Sequence, residues 1–189
     1  MYEFHYIMSA FCIYLTLPPY LAEWYAHTCR QHKYALADYC PTEPIAPLTP
    51  VELIRGSYES LVLQQWLTKQ PNPTPEPIPE DANLAIEIPY FKDKDPRYYN
   101  YLTKTAKSHL AKAIANSFRI QLWEELHLFD VKLNRQDEAI FCFMEKHGIS
   151  CNDTNWNAIA KIYQRCRGTY NVEKFRKNAT TSAQKKSDV

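Results

Sequence analysis

Glycine is scarce in this chain, and its scarcity excludes several classes of site. Only 3 of the 189 residues are glycine, so the sequence holds no glycine-rich phosphate loop and no dinucleotide-binding fingerprint. The motifs of serine hydrolases and of zinc peptidases are missing as well. We therefore predict that the protein is not an enzyme and has no catalytic residues and no cofactor.

Long apolar runs and paired cysteines are also missing. The apolar run at 6–17 is too short to span a bilayer. Glu3 and His5 precede it, where a signal peptide would carry Lys or Arg. The six cysteines show no CxxC spacing, which favours a reducing compartment. We expect a cytoplasmic protein without a membrane segment.

One group of histidines and cysteines, at positions 27–40, is a candidate metal site. His27, Cys29, His32 and Cys40 are residues of the types that bind zinc. Structural zinc sites bring their ligands in two closely spaced pairs, and this spacing does not match that pattern. We therefore predict no metal site. The alternative interpretation, a metal-dependent enzyme, would require zinc bound to these residues.

Proline, by contrast, is frequent, with 13 residues in the chain. Five prolines between positions 71 and 79 alternate with other residues, a composition typical of extended, exposed chain. We predict a linker at 70–83. It separates an N-terminal strand–helix region, 11–69, from a C-terminal region, 84–170, and we expect the two regions to share one core.

The apolar pattern predicts an α+β, mainly helical fold. Apolar residues alternate at 11–17 and at 84–88, which predicts a small two-stranded β-ribbon. Helices are predicted at 20–32 and from Thr49 to Leu67, with Pro50 in the first turn and an interruption at Gly56.

A long central helix and a helix-turn-helix-like pair are predicted next. The long helix runs to about residue 129, because apolar residues recur every fourth position on one face. These residues are Leu110, Ile114, Phe118, Leu122 and Leu126. The pair covers 136–147 and 153–167, with Gly148 ending its first helix and Asp153 or Thr154 capping the second. Residues 177–189 are predicted to be a disordered tail.

Charge is unevenly distributed along the chain. Residues 161–189 contain eight Lys or Arg and two acidic residues, net +6, whereas residues 1–160 contain 14 and 19, net −5. A basic end on an acidic body favours a polyanionic partner such as duplex DNA, and the second helix of a helix-turn-helix enters the major groove. The predicted DNA contacts are Asn157, Lys161, Gln164, Arg165, Arg167, Lys174, Arg176 and Lys177.

Two other interpretations of these patterns stay open. The helical pair can be a packed hairpin with a solvated polar face, because the turn from Gly148 to Asp153 is longer than a compact turn and Met144 stands where a small residue is usual. Alternatively, the chain is a protein–protein interaction module that binds no nucleic acid. The proline-rich segment or an exposed strand edge would then meet the partner.

Three segments carry a resemblance to a known group of proteins. They read IYLTL with YLAEW within 13–24, KDPRYYNYL at 94–102 and FRIQLWEEL at 118–126. Over residues 11–170 the chain resembles small uncharacterised proteins of Bacteroidetes prophages and integrated mobile elements, in which a similar Gly-Ile-Ser turn precedes a helix that ends in Tyr and Arg, as at Tyr163 and Arg165. The resemblance implies a bacterial mobile-element setting with DNA nearby, and no catalytic residues. We therefore predict a non-catalytic DNA-binding accessory or regulatory protein.

Overall fold

Helices dominate the fold, as predicted. The computed structural model describes residues 11–35, 48–71, 77–133 and 136–187. Its helices are α1 (Pro19–Ala35), α2 (Tyr58–Trp66), α3 (Lys104–Leu133), α4 (Gln136–Lys146) and α5 (Asp153–Ser187). Its strands are β1 (Cys12–Leu15), β2 (Val51–Glu52), β3 (Thr68–Lys69), β4 (Leu84–Glu87) and β5 (Tyr99–Tyr101). The predicted class, α+β and mainly helical, is confirmed.

The chain divides into two units, residues 1–118 and 119–189. The proline-rich segment does not mark the division, because β1 and β4, which lie on either side of it in sequence, pair within the first unit. Residues 84–118 share a unit with 11–69, whereas 119–170 belong to the second unit. The centre of the predicted linker, 72–76, lies outside the described residues.

One sheet of the first unit has three strands in the order β1-β4-β2. β1 pairs antiparallel with β4, placing Ile13 opposite Ile86, and this predicted pairing is confirmed. Asn83 extends the pairing, because its side-chain amide both accepts from the Leu17 backbone N–H (2.9 Å) and donates to the Leu17 carbonyl (2.6 Å).

The predicted two-stranded ribbon needs correction. β2 adds a third strand parallel to β4, and β3 pairs with β5 in a separate sheet. The helix predicted from Thr49 is also wrong there: Val51 is a buried strand residue, and α2 begins only at Tyr58, after the N-cap Ser57. Two features explain the difference. Thr49 precedes Pro50, and a residue before proline favours extended backbone over helix. β2 has only two residues, which are too few to show the alternating pattern of a strand.

A lysine completes the carboxyl end of α2. The Lys94 ammonium donates to the carbonyl oxygens of Gln64 at 2.5 Å and of Leu67 at 2.7 Å. The last carbonyls of a helix have no partner within it, and a cation there also complements the helix dipole. Lys94 therefore ties the 91–94 turn to α2.

The apolar stripe predicted on the long helix is buried along its whole length, and the predicted helix is confirmed. Leu110, Ile114 and Phe118 belong to the first unit, where the Phe118 ring contacts Trp24 edge-on at 5.2 Å. Leu122 and Leu126 belong to the second unit. Full burial of one such side chain stabilises a fold by about 1.5–3 kcal/mol.

In the second unit, Gly148 ends α4 as predicted, with a left-handed φ of 62°. The N–H of Ile149 donates to the Met144 carbonyl (2.9 Å) and that of Gly148 to the Glu145 carbonyl (3.3 Å), which is the bonding pattern of a Schellman motif. The next helix is capped by Asn152 rather than by Asp153 or Thr154, because the Asn152 Oδ1 accepts from the Asn155 N–H at 2.9 Å.

The disordered tail predicted from residue 177 differs from the structure, where α5 continues to Ser187. Residues 169–187 contain no proline, and the one glycine in the helix, Gly168, costs only about 1 kcal/mol relative to alanine. The polar composition of residues 177–187 is therefore not enough to end α5.

We predict that Lys94→Met destabilises the protein by about 1–2 kcal/mol, because the substitution keeps the aliphatic stem and leaves helix carbonyls without their charged donor. Urea denaturation followed by circular dichroism measures the change. Lys92→Met is the matched control, since Lys92 is exposed in the same turn. Equal denaturation midpoints for the two variants would contradict the capping role.

Candidate nucleic-acid interface

The packing of α5 decides which of its residues reach solvent. Ile159, Ala160 and Tyr163 are buried, and the Tyr163 hydroxyl donates to the Leu126 carbonyl of α3 at 3.4 Å. Residues two positions from Tyr163 lie on the opposite side of a helix, since each residue turns it by about 100°. Lys161 and Arg165 are therefore exposed, and Gln164 is exposed beside them.

These three side chains, Lys161, Gln164 and Arg165, form what we call the cationic face. Among the described residues, Lys161 and Arg165 take part in no ion pair, whereas Lys146 and His147 pair with Glu125 elsewhere in the second unit. Two positive charges thus stand in solvent one helical turn apart.

The other predicted contact residues are placed differently. Asn157 is exposed, but its side-chain amide donates to the Asp153 carbonyl (2.7 Å). Arg167 is half-buried: its Nη1 donates to Gln136 Oε1 (3.1 Å), and its guanidinium lies 5.9 Å from the Tyr163 ring centre. Lys174, Arg176 and Lys177 lie on α5, and their side chains are outside the described ones.

A polar side chain at the start of α5 is buried in a structural contact. In a helix-turn-helix the first residues of the second helix contact base edges. Here Asn155 is buried, and its amide donates to the Ser150 carbonyl at 3.1 Å. The cationic face lies more than one turn further along the helix, so it is better placed to meet phosphates than base edges.

A cleft of about 430 Å³ opens beside the cationic face. It is lined by residues of the second half of α3 and of α5: Arg119, Trp123, Ile162, Arg165, Cys166, Thr169 and Tyr170. Two arginines, Arg119 and Arg165, and two aromatic residues, Trp123 and Tyr170, are thus among its lining residues. Arg165, a predicted contact residue, belongs to both the cleft and the face.

An aromatic cluster forms one wall of this cleft. The Trp123 ring stacks on His127 with centres 4.4 Å apart and planes 17° from parallel, and it contacts Tyr170 at 5.3 Å. Tyr170 stays 40% exposed, so part of the wall faces solvent.

Sequence reasoning did not identify Arg119, Trp123 and Tyr170. The sequence does contain a signal for two of them. Arg119 directly follows Phe118, and Trp123 directly follows Leu122, so these two residues lie next to the apolar stripe of α3. No sequence pattern shows that this row faces α5.

A buried histidine also lies in the second unit. His147 is 3% exposed, and its Nε2 lies 2.9 Å from Glu125 Oε1, while Nδ1 is buried with no hydrogen-bond partner in the described structure. Burial lowers the pKa of His147, and Lys146 adds to this, against the pull of Glu125. The ring is thus neutral at pH 7, with its proton on Nε2. The His147 ring is buried, and together with Lys146 it joins the carboxyl end of α4 to Glu125 on α3.

Three of the four candidate metal ligands, His27, Cys29 and His32, are described by the structure. Cys29 is buried, and burial raises the pKa of its thiol to about 12, so it stays protonated. His27 is half-buried, His32 is exposed, and Cys40 lies outside the described residues. Among the residues that the structure describes, no group of three or more His, Cys, Asp or Glu side chains could hold a metal, and no disulfide forms.

Comparison of the chain with protein-family models, with curated proteins and with solved structures finds no match. In the described ranges, no helix combines the length and the apolar character needed to cross a membrane.

We predict that acid destabilises the protein in two steps through the His147–Glu125 pair. The folded-state pKa of His147 lies below its ordinary 6.5, so stability falls as pH drops below 6.5. Burial opposes ionisation of Glu125, but hydrogen bonds from Lys146 and Gln121 and the adjacent His147 outweigh it and lower the pKa below 4.5, so more stability is lost below that pH.

Urea denaturation between pH 7.5 and 4 measures this dependence. His147→Gln should flatten the first step, while His32→Gln, at an exposed position of the first unit, should leave it unchanged. If the free energy of unfolding of His147→Gln changes with pH from 7 to 5 as that of the wild type does, the burial of uncharged His147 does not cause the loss of stability in this range.

Proposed function

We propose that this protein is a non-catalytic DNA-binding accessory or regulatory protein that holds the nucleic-acid backbone with the cationic face of α5. One observation supports this above the others: Lys161, Gln164 and Arg165 are exposed together, and within the described residues no carboxylate pairs with the Lys161 or Arg165 charge. Arg119 adds a further positive charge at the adjoining cleft.

The charge distribution of the chain supports the same function. The net +6 of residues 161–189 against −5 elsewhere gives the molecule a positive end, which attracts a polyanion and accelerates its encounter. The setting implied by the resemblance, a bacterial prophage or mobile element, is part of this proposal.

The contacts that we propose are to phosphate, with little reading of sequence. Arg and Lys neutralise phosphates and release bound counterions, so such binding weakens steeply with salt. Base readout would need side chains at the start of α5, where Asn155 is buried. Arg167 is engaged with Gln136 and Tyr163, and we assign it to positioning α5.

A second candidate function is protein–protein interaction. Tyr58 and Leu61 are 60% and 55% exposed, and their spacing of three residues places them on one face of α2. An exposed apolar pair of this kind is also found at binding surfaces. Size-exclusion chromatography with light scattering separates protein–protein interaction from DNA binding. If the protein binds no DNA, and if its association with another protein chain is lost in Leu61→Glu, the interaction function is favoured.

We predict salt-sensitive binding to duplex DNA. Lys161→Ala combined with Arg165→Ala should lower the slope of log K against log[salt] by about 2, because each phosphate contact contributes about 1. Fluorescence anisotropy on a labelled duplex of mixed sequence between 50 and 200 mM salt measures this slope.

Lys104→Ala combined with Lys112→Ala is the matched control, because it removes the same net charge from exposed positions of the first unit. This control should keep the wild-type slope. Absence of binding at 50 mM salt, or equal effects of the two double variants, would overturn the proposed function.

A further inference from the structure

We propose that the cleft beside the cationic face receives one unpaired base of the bound nucleic acid, with the adjoining phosphate on Arg165 and Arg119. This inference rests on the proposed function and specifies its ligand: an unpaired nucleotide, in a single strand or at an open end of a duplex.

The volume and the walls of the cleft suit an aromatic ring. Its volume of about 430 Å³ lies in the range of small-molecule sites, roughly 300–1,000 Å³. Trp123, Tyr170 and Ile162 provide its aromatic and apolar surface. Aromatic side chains bind bases of any sequence by stacking, because every base has a π-face.

The charge of the cleft selects an anionic ligand. Arg119 and Arg165 line it, and no acidic side chain is among its described lining residues. A guanidinium is planar and can donate two parallel hydrogen bonds to one phosphate. A nucleotide offers an aromatic base to the rings and an anionic phosphate to Arg165, which takes part in no ion pair among the described residues.

The cleft is continuous with the cationic face. Lys161 and Arg165 are one turn apart, about 6 Å along the helix, so one nucleic-acid backbone can contact Lys161 and then place its next residues at the cleft. A base within a duplex has both faces covered by its neighbours, so only an unpaired base can present a face to Trp123 or Tyr170.

Two labelled single strands with equal numbers of phosphates test this inference. One is a thymidine 12-mer, and the other replaces every base by an abasic tetrahydrofuran unit. Wild-type protein should bind the base-bearing strand about fivefold or more tightly in fluorescence anisotropy, the range expected for stacking of one base.

The variants locate this preference. Tyr170→Leu removes an exposed ring, and Cys166→Met fills the cleft with a larger side chain that has no ring; each should bring the ratio of the two affinities below about twofold while leaving the abasic strand unaffected. Tyr98→Leu, at an exposed tyrosine of the first unit, should keep the wild-type ratio. Circular dichroism verifies that each variant is folded.

The outcomes separate this inference from the proposed function. Equal wild-type affinity for the two strands would overturn the base site and leave phosphate binding intact. A base preference that persists in both cleft variants would place the base elsewhere and overturn it as well. Failure of both strands and of the duplex to bind would overturn the proposed function together with this inference.

Discussion

The apolar stripe along α3 is the constraint on which the arrangement of the second unit depends. Leu122 and Leu126 are buried there, and their burial fixes the rotation of the helix about its axis. Once that rotation is fixed, the neighbouring row, Arg119, Trp123 and His127, must stand at the border between core and solvent. The stripe therefore stabilises the unit and also presents one side of the cleft.

Tyr163 has the corresponding role on α5. Its ring is buried, its hydroxyl donates to the Leu126 carbonyl, and Arg167 lies over it. Because Lys161 and Arg165 are each two residues away, burial of Tyr163 directs both cations away from the core. Glu125 accepts hydrogen bonds from Lys146 and Gln121 and pairs with His147, so its charge is already compensated within the unit.

Sequence reasoning was most reliable where a pattern extends over several turns. The stripe from Leu110 to Leu126 and the alternation at 84–88 predicted α3 and β4, because repeated burial on one face leaves a repeated signal. It failed for β2, where Val51 and Glu52 are too few to show a period and a Pro-rich start resembles a helix cap. It also ended α5 too early, because a solvated helix has no apolar face to mark its length.

For the candidate site, the sequence by itself determined the charge asymmetry and the residue types of the cationic face, since both can be counted along the chain. Only the tertiary structure decided which of the predicted contact residues are available and what lies beside them: Arg167 is engaged with Gln136, whereas Arg165 shares a cleft with Arg119 and Trp123. The physical reason is that charge and periodicity belong to one segment. A cleft belongs to two helices, and the contact between them depends on how their side chains pack.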